Sequence, residues 1–259
     1  MKMRSLATYI SFGDYLNSIR NWRTGIPVAR AISDIDHYLF YLDMYSLPIT
    51  SKTSAYSDLR FLKEELLSKD KTHALTEYEA RTLAGYFSDI EKTLYAEMTD
   101  KYVYEVTDKR IDVNKLLYNI DALFPSGVFK NLPGIAKYDF TEAGKCIAFN
   151  LPTAAAFHIL RGTEEILRQL HFAYIGNKQE RPLWRPMIEQ LNKLGPPPDS
   201  MLLKHLEYIC EAFRNPTDHP DKIYSIDEAQ DLFCLCTEAI SRMVQEIAKA
   251  KKEPKAIPK

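Results

Sequence analysis

Residues 152–175 read PTAAAFHILRGTEEILRQLHFAYI, and this stretch decides the fold class. Pro152 is suited to the first position of a helix, where an amide hydrogen has no partner to lose. After it, Ala156, Leu160, Thr163, Leu167, Leu170 and Tyr174 recur at spacings of three and four, which lays one stripe along a long helix. Such a stripe is stable only against other helices, so the pattern predicts a bundle. Downstream, LWRPMIEQLNKL reads as a third helix interrupted near its start by Pro186. Asp199 or Ser200 can cap MLLKHLEYICEAFR, which buries Leu202, Leu206, Ile209 and Phe213 and is expected to stop near Asn215, because Pro216 follows. Ser225 and Glu228 form a capping box that opens a last helix with Ala229, Leu232, Cys236, Ile240, Met243 and Ile247 on one face. FTEAGKCIAFN, before the decisive stretch, completes the set.

Upstream the chain is also helical. Pro27 can open a helix carrying Ile32, Ile35, Leu39, Leu42 and Tyr45, and a second helix follows with Leu59, Leu62, Leu66 and Leu67. Thr76 and Glu79 make another capping box before a helix expected over 77–98. Tyr102–Val106 is rich in strand formers and reads as a short strand. The run LFPSGVFKNLPGIAKY, 123–138, carries two Pro and two Gly and reads as a linker. The expected fold is therefore mainly α. An N-terminal helical region, 1–122, holds at most a short strand or hairpin, a linker spans 123–138, an up-down helical bundle spans 139–250, and 251–259 is a frayed tail.

Composition narrows the function classes. The 259 residues are 46% hydrophobic and 27% charged with only 9 Gly, as in a globular chain with a real core. Net charge is −1, which argues against binding nucleic acid through bulk positive charge but leaves room for a local basic groove. No apolar run approaches a membrane span and no signal-peptide h-region is seen, so a cytoplasmic protein without membrane contact is expected. The four Cys show neither zinc-ribbon nor disulfide spacing, consistent with reduced thiols. No His pair shares a helix face, so no metal site and no cofactor are expected. Serine-hydrolase, P-loop, dinucleotide and zincin motifs are all missing.

One segment carries chemistry: Phe213-Arg214-Asn215-Pro216-Thr217-Asp218-His219-Pro220. It puts a guanidinium at the end of a helix and an imidazole in a turn stiffened by two prolines. A guanidinium that grips phosphate oxygens, beside an imidazole that moves a proton, is the least equipment needed to cleave RNA through its own 2′-hydroxyl. Arg30 and His37 have a related spacing, but Ala31 follows Arg30 inside an uninterrupted helix, and that pair is set aside. Glu164, Glu165, Arg161 and Arg168 read as a solvated ion-pair face, and Asp218 as a residue that solvates its turn.

Arg214-Asn215-x-x-x-His219, on the helix before the last one of a bundle, resembles the Arg-x(4–6)-His motif of the HEPN superfamily, with a polar residue after the Arg. DFTEAGKCIAFNLPTAAAFHILRGTEEILRQL is similar to the first two helices of a group of bacterial HEPN-like proteins. The resemblance covers about 123–250. It implies a metal-independent endoribonuclease that acts in phage defence or as a toxin, with a composite site at a homodimer cleft. Arg214 and His219 would then be catalytic, Asn215 would bind substrate, and RNA would be cut to cyclic-phosphate ends. A regulatory or antitoxin protein partner would restrain it. The alternative is a catalytically silent HEPN-like module that binds RNA, nucleotide or a protein.

Overall fold

A computed structural model of the chain describes residues 6–20, 25–45, 47–102, 105–176, 183–217, 219 and 221–252. The chain forms two compact units, Met1–Tyr104 and Glu105–Lys259. Among the described residues there is no strand, only an isolated bridge between Pro27 and Ala74, and no helix is long and apolar enough to cross a membrane. Val103 and Tyr104, the centre of the expected strand, lie outside the described residues.

The first unit comprises α1 (Leu6–Arg20), α2 (Val28–Tyr45), α3 (Ser54–Leu67) and α4 (Glu77–Thr99). α3 and α4 start at side-chain caps, Thr53 and Thr76. The Thr76 hydroxyl accepts the Glu79 amide while the Glu79 carboxylate accepts the Thr76 amide, so two otherwise orphaned donors at the start of α4 are satisfied. Lys69 and the Thr76 amide hold the Glu79 carboxyl down at about 2. Ile32, Ile35, Leu39, Leu42 and Tyr45 face inward as their spacing predicts, and they meet Leu59, Leu62, Leu66, Leu83, Phe87, Ile90 and Leu94. Leu67 instead faces solvent.

The second unit comprises α5 (Val113–Tyr118), α6 (Gly134–Ala148), α7 (Pro152–Ile175), α8 (Trp184–Asn192), α9 (Ser200–Ile209), a π-helical turn (Cys210–Arg214), α10 (Asn215–Thr217) and α11 (Ile226–Lys252). It begins earlier than the sequence pattern implies. The stretch 123–138 is not a spacer: Phe124, Val128, Leu132 and Ala136 are buried in the same core as α6, α7 and α11, and so are Leu116 and Ile120. The prolines and glycines there allow short 3₁₀ turns that fold back onto the bundle. Rings close the centre, with Phe140 5.1 Å from Phe124 and 5.6 Å from Phe233. Asn150, at φ 57°, turns α6 into α7 in the left-handed conformation that Asn tolerates.

Three further boundaries differ from expectation. The helix read as FTEAGKCIAFN starts at Gly134 and gains a turn and a half. Pro186 does not interrupt α8, because it sits in the first turn where its missing amide costs no bond. The third difference lies at the candidate site.

Candidate functional site

Pro216 does not stop the helix at Asn215. Asn215 is itself α-helical, with φ −65° and ψ −46°, and helical backbone continues to Thr217. The reason is the turn before it. From Cys210 to Arg214 the ladder widens to π spacing, with the Asn215 amide donating to the Cys210 carbonyl. A proline ring normally clashes with the carbonyl four residues back and leaves it without a donor. A widened turn just upstream absorbs both penalties.

Hydroxyl groups hold the end of the turn. The Thr217 and Tyr224 hydroxyls both reach the Phe213 carbonyl, at 2.6 and 2.9 Å, and lie 2.7 Å from each other. Tyr224 is buried, and burial pushes its phenol up. Its amide donates to the Thr153 hydroxyl on the first turn of α7 at 3.3 Å, and Lys222 lies 4.5 Å over its ring. Lys222 also pairs with Glu228, whose carboxyl is held at about 2 by Lys222 and the Ser225 amide. The capping box that starts α11 is thereby tied to the turn that carries His219.

His219 itself is exposed. Its amide donates to the Pro216 carbonyl at 3.0 Å and its carbonyl accepts the Lys222 amide at 3.2 Å, so its backbone is held at both ends. Asp218 and Pro220 lie outside the described residues. Asn215 is exposed, and its amide oxygen stands 3.6 Å from the buried Cys210 sulfur. Burial pushes the Cys210 thiol up, while Arg185 and Arg214 pull it back.

Arg214 is half-buried, with 23% of its side chain exposed, and it meets a residue assigned above to a solvated face. Glu164 is not solvated: its side chain is 12% exposed, and its Oε2 lies 3.7 Å from Arg214 Nη2. Its other oxygen accepts from Arg168 Nη2. Two guanidiniums thus converge on one buried carboxylate. The sequence held a signal for this. Glu164 is four residues after Leu160 and three before Leu167, so it borders the buried stripe of α7. Arg161 and Glu165 remain on the outer side.

The structure therefore gathers Arg214, Glu164 and Arg168 around the π turn and presents His219 five residues on, in a turn clamped by Thr217, Tyr224, Lys222 and Glu228. Among the described residues, no group of three or more His, Cys, Asp or Glu is assembled as a metal cage. Set against known protein families, curated proteins and solved structures, the chain matches none.

Proposed function

We propose that this protein is a metal-independent endoribonuclease of the HEPN type, working as a defence or toxin effector. The observation that carries the reading is the anchored pair: a half-buried guanidinium at a π turn, held beside the Glu164 carboxylate, followed by an exposed imidazole on a clamped turn. In this reading Arg214 binds the non-bridging oxygens of the scissile phosphate and offsets charge that develops in the transition state. His219 takes the 2′-hydroxyl proton or returns one to the leaving 5′-oxygen. Asn215 binds the same phosphate, and Glu164 orients Arg214. A second copy of the chain would bring its own pair to the same cleft.

The test is cleavage of end-labelled tRNA and single-stranded RNA in EDTA by wild type and His219→Ala. Cleavage by wild type alone, with cyclic-phosphate ends, is expected. Equal residual cleavage by both proteins refutes the assignment of His219.

One observation favours a second reading. Glu164 already neutralises one of the two guanidiniums, which suits a module that binds RNA, nucleotide or a protein without cutting. No cleavage by the folded wild type, together with RNA binding lost in Arg214→Ala, is the outcome that selects it.

A further inference from the structure

A second cluster lies one turn back along α7. Asp139, on α6, is completely buried. Its carboxylate accepts Arg161 Nε at 2.8 Å on Oδ2, Arg161 Nη2 on Oδ1, and His158 Nδ1 at 2.9 Å on Oδ1. A buried carboxylate is costly unless its oxygens are filled, and Arg161 alone already bonds both. The third donor therefore orients the imidazole rather than rescuing the carboxylate. With Nδ1–H on Asp139, the remaining polar atom of His158 is Nε2, on a ring that is partly exposed; it accepts in the neutral ring and donates to an anion only in the imidazolium, where both ring nitrogens carry hydrogen. Arg161 is 58% exposed, and with two N–H groups on Asp139 it keeps three of its five donors. The aspartate fixes both side chains from beneath and leaves their outer edges to bind.

The position of this cluster relates it to the first. Arg161 and Arg168 are seven residues apart on one helix, which puts them about 20° apart around the axis and about 10 Å apart along it. An exposed aromatic ring lies beside it: Tyr138 meets the His158 ring edge-on at 6.2 Å. Cations on one helix face with an exposed ring beside them fit a strand of phosphates and unstacked bases better than a lone anion.

We infer that Arg161 and the imidazolium form of His158, carried on Asp139, make a second oxyanion site that holds a phosphate of single-stranded RNA away from the one at Arg214. This inference rests on the RNA reading of the Arg214 site. Its own test does not need that reading.

In the full chain, inorganic phosphate is titrated while the His158 ring proton is followed by NMR, its signal assigned by its loss in His158→Gln. A saturable shift is expected in wild type and equally in Arg214→Ala. It should weaken at least tenfold in Asp139→Asn/Arg161→Gln, which removes both charges together and orphans neither. Arg161→Lys serves if that double variant does not fold. A His158 signal that phosphate does not move in wild type overturns the site. In a second arm, binding of a single-stranded RNA is measured across salt concentrations in EDTA. Losing one phosphate contact makes the slope of log K against log salt shallower by about 0.7, and the double variant should show that change. An unchanged slope overturns the RNA assignment. Phosphate binding at His158 without any RNA binding by wild type leaves the oxyanion site standing and refutes the ribonuclease reading.

Discussion

Gly144→Ala should destabilise the second unit, although alanine is the better helix former. Gly144 is inside α6, where exchanging Gly for Ala normally gains about 1 kcal/mol. Here the new Cβ would stand 2.5 Å from the Leu116 carbonyl oxygen and 2.8 Å from Ile120 Cδ1. The Ile120 methyl can rotate away. The Leu116 oxygen is backbone, so α5 must retreat by several tenths of an ångström from a core in which Leu116 and Ile120 are buried. Overpacking of this kind costs about 1–3 kcal/mol, and the upper half of that range applies because the obstacle is main chain. After the propensity gain, a net loss of about 1–2 kcal/mol remains. For a unit of this size that lowers Tm by about 2–8 °C. Gly85→Ala is the control, since Gly85 is exposed on α4 and its Cβ would meet nothing within 4 Å. Trp184, buried in the second unit, reports on its transition by fluorescence in a Trp22→Phe background, with calorimetry for the first. The control should leave the second transition in place and hold or raise the first. A second transition at or above the wild-type Tm in Gly144→Ala would refute the close seating of α5 on α6, and with it the assignment of residues 113–123 to this unit.

Three other outcomes follow from the same contacts. Glu79 and Glu228 titrate near 2 in the folded protein against an ordinary 4.5, so each contributes stability that is complete above about pH 5 and is lost as pH falls toward 2; Glu79→Gln should flatten that acid dependence in the first unit and Glu228→Gln in the second, as read by urea melts from pH 6 to 2.5. Tyr224→Phe removes a buried hydroxyl from the Phe213 carbonyl and Thr217, which should cost about 1 kcal/mol and speed amide exchange over 213–222, with unchanged exchange counting against the clamp. Glu164→Ala leaves Arg168 and Arg214 facing each other, and because both are partly exposed the loss should be about 1–2 kcal/mol, smaller in 0.5 M NaCl than in low salt by urea unfolding; a loss that does not depend on salt would point to packing instead.

What could be read from the chain, and what could not, divides along one physical line. Helical class, the stripes of α2, α7 and α11 and the two capping boxes were legible because each depends on residues within four positions of one another. Local spacing decides which face is apolar and which amide is capped, and those terms act before any tertiary contact forms. Three things were settled only by the assembled core. Residues 123–138 look like a spacer from their prolines and glycines, yet Phe124, Val128 and Leu132 find a buried surface supplied by helices that come later in the chain. Asn215 precedes a proline and so should end a helix, yet the backbone runs on in helical conformation past a π turn. Glu164 reads as a surface carboxylate among charged neighbours, and nothing local marks Asp139 as buried. Each borders an apolar stripe, however, and packing α6, α7 and the π turn together carries them into the interior, where only paired guanidiniums and an imidazole make burial tolerable. Whether a charged residue beside a stripe ends in water or under its neighbours depends on which helix covers it, and that is decided by the tertiary packing.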